Sequence, residues 1–208
     1  MLSLCYDVTV FVRELQEILA AAPAGQDRSH PYLDISQSCE IDENKLQGSM
    51  GQLPPGDPLV KALGRILSTM KEGPFELTRL GINELIKSYL YRINKENQES
   101  YTHAYLNCIQ QIYLTGAAGD YPFIDLLWEY LSRVFHTVSI FLLDRYLVQA
   151  CRVFLSKVSS MGRSAAQRGL PTGSIQHFLY NMEIRAQEEG FAELAGSAKN
   201  HRFNLETF

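Results

Sequence analysis

Residues 142–161, LLDRYLVQACRVFLSKVSSM, contain neither glycine nor proline and indicate how the chain folds. Apolar residues recur in this stretch at intervals of three and four positions: Leu143, Leu147, Ala150, Phe154, Val158 and Met161. That spacing places them in one stripe along an α-helix. We therefore predict an amphipathic helix from Leu142 to Met161. Its preceding turn is expected near His136–Ser139, where β-branched and hydroxyl residues weaken the preference for helix.

The same spacing occurs along most of the chain. A first helix is predicted to end at Pro23, and Asp57 followed by Pro58 is a typical helix start, with an N-cap and a proline in the first turn. The last two predicted helices run from about Gly173 to Glu189 and from Phe191 to about Asn204. Since no segment alternates as a strand would, the sequence predicts an all-α fold, an irregular multi-helix bundle or short α–α array of about seven to eight helices.

Between the first and second helices the pattern fails. Residues 23–57 carry prolines and glycines at both ends and polar residues in the middle. We expect an irregular loop here, which either holds a short helix near Asp42–Gln47 or is a mobile functional loop. The prediction for residues 1–208 is a single all-helical domain.

Composition excludes several classes of protein. The chain has 208 residues, of which 46% are hydrophobic and 20% charged, as in ordinary globular proteins rather than disordered or collagen-like ones. Its 19 basic and 23 acidic residues give a net charge of −4. That balance argues against a dedicated nucleic-acid binder but allows a local basic patch.

The cysteines and the apolar segments indicate a compartment. The four cysteines, Cys5, Cys39, Cys108 and Cys151, are scattered and form no CxxC motif, so we expect reduced and mostly buried thiols. The start of the chain lacks the features of a signal peptide. The longest uncharged apolar stretch, Val134–Leu143, is about half the length that a bilayer crossing requires. We therefore predict a cytoplasmic protein without a transmembrane segment, although a soluble domain of a larger membrane protein would look the same.

One spacing occurs twice near the C-terminus. Met161, Ala165, Gly169 and Leu170 recur as Met182, Ala186, Gly190 and Phe191. Each glycine can end a helix, as glycine commonly does. We interpret the match as a coincidence between amphipathic helices rather than a true repeat, because Gly162, a further candidate helix end, has no counterpart in the second copy.

No catalytic or metal-binding motif is found. The five histidines (His30, His103, His136, His177 and His201) lie in no zinc or di-iron spacing, and the chain contains no P-loop, GxSxG or dinucleotide fingerprint. We predict neither a metal nor a cofactor, and an enzyme is the least favoured of the function classes left open. No family is recognised from these residues.

The candidate binding residues are three arginines. Arg145, Arg152 and Arg163 are separated by seven and eleven positions, which would place them within about 20° of one line on a single helix. Such a basic helix face could bind an acidic helix, a phosphate or an anionic membrane. The alternative is a solvated face that Glu183, Glu188 or Glu189 of a neighbouring helix partly neutralises.

These patterns favour a non-catalytic helical interaction or scaffold module with an unknown protein or anionic partner, because every strong signal is a packing signal. The alternative is a helical sensor that binds a small molecule in a pocket between helices, lined by tyrosines and Trp128. The sequence indicates neither the ligand nor the oligomeric state.

Overall fold

The computed structural model describes residues 8–21, 57–119 and 121–206, and within these ranges every regular element is an α-helix. The predicted all-α fold of seven to eight helices is therefore confirmed. Apart from Asp57, the predicted loop over 23–57 lies almost wholly outside the described residues. The helices are α1 (Val8–Ala20), α2 (Pro58–Glu72), α3 (Phe75–Arg92), α4 (Gln98–Ala118), α5 (Ile124–Asp144), α6 (Val148–Gln167), α7 (Gly173–Glu188) and α8 (Ala192–Glu206).

The described residues divide into two compact units. Unit 1 falls within Met1–Tyr91 and Asn107–Pro122, and unit 2 within Arg92–Leu106 and Phe123–Phe208. Helices α1, α2 and nearly all of α3 therefore belong to unit 1, helices α5 to α8 belong to unit 2, and α4 contributes residues to each. The prediction of a single domain stays a prediction.

In unit 1, helix α1 packs against α2. The predicted start of α2 is confirmed, because the Asp57 carboxylate accepts a hydrogen bond of 2.8 Å from the Leu59 backbone N–H and Pro58 is the first helical residue. Gly81, which suggested a break in α3, lies inside a continuous helix. A Cβ atom at Gly81 would stand 2.6 Å from Cγ1 of Ile66, so the glycine permits close packing of α2 on α3.

In unit 2, three buried aromatic rings connect helices α5, α6 and α7. Helix α5 packs against α6 and α7, and α8 packs against both α6 and α7. The rings of Phe135 and Phe154 meet edge to face at 5.8 Å between centroids, and Phe178 contacts Phe154 in the same way at 6.3 Å. Edge-to-face pairs of this kind add to the burial of their apolar surface. They hold α5, α6 and α7 together.

The predicted turn near His136–Ser139 is wrong, because α5 continues to Asp144 and the turn falls at residues 145–147. Val138 and Ser139 are buried, and the Ser139 hydroxyl donates to the His136 carbonyl inside the helix. Burial against the rest of unit 2 thus outweighs the weak intrinsic preference of these residues for helix.

Helices α5, α6 and α7 end in the same way. In each, a residue with positive φ follows the helix, and the next backbone N–H bonds to the carbonyl five residues earlier. This arrangement is the Schellman motif. The residues with positive φ are Tyr146 (φ 57°), Gly169 (φ 75°) and Gly190 (φ 80°). The two glycines of the repeated spacing therefore occupy equivalent helix ends, whereas Gly162 lies within α6, contrary to its interpretation as a helix end.

Of the described helices, α5 alone is long and apolar enough to cross a membrane by length and composition, with a mean hydropathy of 1.2 in its most apolar window. Just over half of that window, 56%, is buried inside the protein. A core helix of a soluble protein passes the same test, so this helix does not establish a transmembrane segment.

Candidate functional site

The structure separates the three predicted arginines. Arg145 belongs to the turn after α5, while Arg152 and Arg163 belong to α6. The expected straight line of arginines on one helix is therefore wrong, because the helix that was to carry them is interrupted at residues 145–147. The binding role of each arginine stays a prediction.

Arg145 and Arg152 are exposed, and Arg163 is half-buried. The guanidinium of Arg145 lies 4.5 Å from the centre of the Phe141 ring, and no described carboxylate pairs with it. Arg152 forms an ion pair with Glu193, rather than with any of the three glutamates expected to neutralise the arginines. Arg163 donates a hydrogen bond to the Ser159 hydroxyl at 3.3 Å.

Two turns come together beside Arg145. The Tyr146 ring packs edge to face against Phe191, at 5.8 Å between centroids, and its hydroxyl donates to the Glu189 carboxylate at 3.0 Å. Since Phe191 follows α7 and Tyr146 follows α5, this contact joins the α5–α6 turn to the α7–α8 turn. We call the group formed by Phe141, Arg145, Tyr146, Arg152 and Phe191 the double-turn surface.

The double-turn surface carries charges of both signs. Asp144 pairs with Arg185, and Glu193 with Arg152. Glu189 accepts the hydrogen bond from Tyr146, and this contact raises the pKa of the tyrosine hydroxyl. Because carboxylates lie between the cations, this surface is not the uniformly basic face that the sequence suggested.

A second feature of unit 2 is an open groove between α5 and α7. Its volume is about 400 Å³. A neighbouring groove of about 290 Å³ lies between the same helices, and His136 lines both. We call the two together the α5–α7 groove. Its lining comprises Ser132, Arg133, His136, Thr137 and Ile140 of α5, and Gly173, Ser174, His177, Tyr180, Asn181, Ile184 and Arg185 of α7.

Two imidazoles face each other across the α5–α7 groove. The rings of His136 and His177 are 5.8 Å apart between centroids. His177 Nε2 lies 3.1 Å from the side-chain amide nitrogen of Asn181, whereas the buried Nδ1 of His136 has no hydrogen-bond partner among the described residues. Burial lowers the pKa of His136, and the neighbouring His177 lowers it further. His136 therefore favours its neutral form.

Helices α6 and α7 differ in whether a side chain caps their first backbone N–H groups. At the start of α6, the side-chain oxygen of Gln98 accepts hydrogen bonds from the backbone N–H groups of Gln149 and Ala150, at 3.0 and 3.3 Å. At the start of α7, Thr172 provides no side-chain cap. The first N–H groups of an α-helix have no acceptor within the helix, and in α7 those of Gly173 and Ser174 belong to residues that line the groove.

The groove does not have the lining that was expected for a sensor. Trp128 lines neither part of it, because the indole is buried and donates a hydrogen bond of 2.8 Å to the Pro171 carbonyl. Of the tyrosines, Tyr180 lines it. No spacing in the sequence pointed to this groove, because pairing of α5 with α7 cannot be inferred from either helix alone. Tyr146 was missed because a helix end without glycine gives no strong signal.

The described residues do not suggest covalent or metal chemistry. No three histidine, cysteine, aspartate or glutamate side chains of the described ranges come together to hold a metal ion. Cys108 and Cys151 are buried, as predicted, and form no disulfide, and burial raises the pKa of both thiols, that of Cys151 to about 12. Such thiols are poor nucleophiles because the reactive form is the thiolate. Cys5 and Cys39 lie outside the described residues.

Within the described residues the helices form an all-α fold, and unit 2 carries a mixed-charge aromatic surface and an open groove. Comparisons of the chain with models of protein families, with curated proteins and with solved structures find no match. Its function is therefore inferred from its own residues.

Proposed function

We propose that this protein is a non-catalytic helical interaction module that binds a protein partner through the double-turn surface. The observation that carries the proposal is the left-handed backbone of Tyr146, with φ of 57°. A bulky side chain rarely adopts this conformation, and it costs about 1–2 kcal/mol relative to the right-handed one. Unusual backbone conformations of this kind cluster at functional sites.

The equivalent helix ends show that the conformation does not require tyrosine. Gly169 and Gly190 occupy the same position in the same motif at the ends of α6 and α7. Glycine adopts positive φ without steric cost, so it would serve equally well after α5. We infer that Tyr146 is present for its side chain, because the residue is 54% exposed although its ring and hydroxyl contact Phe191 and Glu189.

The composition of the surface favours a protein partner. Tyrosine and arginine dominate the residues that contribute most to protein–protein affinity, and aromatic residues are enriched in such interfaces. Tyr146 and Arg145 are adjacent and exposed, and Arg145 stacks on Phe141 without a described carboxylate partner. Asp144, Glu189 and Glu193 would repel an anionic membrane, so a lipid surface is the less favoured partner.

The first experiment compares captured partners. Proteins that bind the immobilised chain from a lysate are identified by mass spectrometry, and the leading candidate is purified for affinity measurement. Tyr146→Gly removes the ring but keeps the turn, and we expect it to weaken the partner by about 30-fold, the effect of losing a residue worth about 2 kcal/mol. Tyr91→Ala is the matched control, since Tyr91 is 90% exposed and belongs to unit 1.

A second variant separates a protein partner from an anionic surface. Arg145→Gln/Arg152→Gln should keep its melting temperature, because the ion pair it removes is exposed and contributes at most about 1 kcal/mol. It should weaken the purified partner but leave binding to anionic lipid vesicles unchanged from background. Unaltered partner affinity in both variants would contradict the proposal, as would binding to vesicles that the arginines control.

A further inference from the structure

The α5–α7 groove lacks the acidic residues that surround the double-turn surface. The titratable or permanently charged side chains that line it are Arg133 and His136 on α5 and His177, Tyr180 and Arg185 on α7. No carboxylate is among its lining residues, and the described residues of α6 do not line it. Arg133 and Arg185 each pair with a carboxylate that does not line the groove, Glu129 and Asp144. Since exposed ion pairs contribute little, the two guanidiniums and the two imidazoles together still favour an anion in the groove.

The two imidazoles converge on one place in the groove. His136 and His177 lie 5.8 Å apart between ring centroids, so both can reach one ligand placed beside them. The buried Nδ1 of His136 has no described hydrogen-bond partner. Because this nitrogen is closed to solvent, a ligand in the open groove would meet the other ring nitrogen, Nε2.

Hydrogen-bond donors from three further groups surround the imidazoles. Ser174 contributes a hydroxyl, and the backbone N–H groups of Gly173 and Ser174 lie in the uncapped first turn of α7. Arg133 pairs with Glu129, but both side chains are exposed, at 72% and 54%, so their ion pair is weak and the guanidinium can turn to a ligand. Phosphate groups are bound by this set of donors in many proteins.

The lining of the groove changes along its length from polar residues to apolar ones. Beyond His136, its lining includes Ile140, Tyr180 and Ile184. A bare phosphate ion would leave this part empty, whereas an organic group attached to the phosphate would bury apolar surface against it. We propose that the α5–α7 groove binds a small phosphate monoester, with the phosphate beside His136, His177 and Arg133 and the organic group against Ile140 and Ile184.

This inference does not depend on the double-turn surface, because it rests on different residues. It gives the small-molecule sensor, the alternative function predicted from the sequence, a specific site and a class of ligand. No covalent step is involved. Binding requires only that donors of α5 and α7 meet the phosphate oxygens, and a dianionic ligand would favour the protonated form of His136.

The test follows the histidine rings by NMR during titration with phenyl phosphate. We expect saturable shifts of the His136 and His177 ring signals and a rise of the pKa of His136. His201 is the matched control, because its buried Nδ1 also has no described partner and Arg163 lies beside it, yet it lines neither part of the groove. Equal shifts at His201, or no shift at His136 and His177, would overturn the proposal.

Variants test the two halves of the site. Arg133→Gln and His177→Asn change exposed side chains, and each should weaken phenyl phosphate by about tenfold, as expected for one charge-assisted hydrogen bond. Arg13→Gln, which changes an exposed arginine of unit 1, should leave the affinity unchanged. Inorganic phosphate should bind more weakly than phenyl phosphate. Equal binding of the two would overturn the assignment of the organic group to Ile140 and Ile184.

Discussion

The double-turn surface and the α5–α7 groove lie in the same unit but differ in how their polar groups are satisfied. On the double-turn surface, Tyr146 bonds to Glu189 and Arg152 pairs with Glu193. In the groove, the Nδ1 of His136 has no described partner, and the first turn of α7 has no side-chain cap. Where the polar groups of a surface are already hydrogen-bonded, a partner can add contacts but gives no unpaired group its first hydrogen bond. In a groove with unpaired donors, a bound ligand forms hydrogen bonds that the protein alone does not make.

The difference extends to backbone geometry. Near the double-turn surface, the unusual feature is one residue, Tyr146, held in a conformation that two matching helix ends give to glycine. Near the groove the backbone is ordinary, and the unusual feature is the set of donors left open. We infer that the double-turn surface recognises its partner mainly through the shape of the exposed Tyr146 ring. The groove recognises its ligand mainly through negative charge. Three predictions test this contrast.

The largest expected effect is on the free energy of unfolding and concerns Trp128, which links α5 to the segment before α7. Trp128 is buried in α5 and bonds to the Pro171 carbonyl just before α7 begins. Trp128→Ala should lower the free energy of unfolding by about 3–5 kcal/mol, because it removes a large buried side chain. Trp128→Phe keeps most of the volume and loses the hydrogen bond, and we expect a loss of about 1–2 kcal/mol. Urea denaturation measures both.

The same two variants also test whether ligand binding in the groove is independent of partner binding at the double-turn surface. Trp128→Phe should weaken phenyl phosphate in the groove, since Gly173 is two residues beyond Pro171. The affinity for a partner of the double-turn surface should not change. A loss of both would contradict the description of the surfaces as independent, and a Phe variant as unstable as the Ala variant would show that the hydrogen bond outweighs the buried volume.

The second prediction compares the three helix ends. A Cβ atom built on Gly169 or Gly190 meets nothing within 4 Å, so each Gly→Ala change tests backbone conformation alone. We expect each to cost about 1 kcal/mol. Tyr146→Ala should also destabilise the protein, because it loses the ring contact with Phe191 but keeps the left-handed backbone. Tyr146→Gly loses the same contact and relieves the backbone, so its stability should stay within about 1 kcal/mol of the wild type.

Thermal unfolding of these four variants under one condition gives the comparison. The difference between Tyr146→Ala and Tyr146→Gly isolates the backbone cost of a side chain at this position. A Tyr146→Gly protein clearly more stable than the wild type would mean that the ring contributes little to folding. That result would strengthen the argument that Tyr146 serves a partner, while a strongly destabilised Tyr146→Gly would assign the ring to the fold.

The helical fold was predictable because its information is local. Buried residues such as Phe154, Val158 and Met161 recur at helical spacing, and that spacing survives whatever the helices pack against. The predicted breaks failed where packing overrides propensity. Val138 continues α5 because it is buried there, and Gly162 stays helical with Ile175 and Leu205 close against it.

The candidate sites were less predictable because they depend on contacts between distant residues. The line through Arg145, Arg152 and Arg163 assumed one helix, and a turn of three residues removed that assumption. His136 and His177 are separated by a whole helix in sequence, so only the packing of α5 on α7 brings them together. Spacing within one helix carries no information about such a pair.

The smallest expected effect is a dependence of stability on pH. Burial lowers the pKa of His136 and of His201, and a neighbouring cationic or titratable group, His177 or Arg163, lowers each further. The unfolded chain, with a histidine pKa of about 6.5, then binds more protons than the folded protein. Stability should therefore be greatest above about pH 6.5 and should fall as the pH drops towards the folded pKa values.

Phenyl phosphate separates the two histidines in this measurement. Urea unfolding at neutral and at mildly acidic pH should show the loss, and His136→Asn and His201→Asn should each remove part of it. A phosphate bound in the groove favours the protonated form of His136, so phenyl phosphate should reduce the loss in the wild type and in His201→Asn but not in His136→Asn. Equal protection of all three proteins would show that the phosphate acts elsewhere, and the contrast between groove and double-turn surface would then fail.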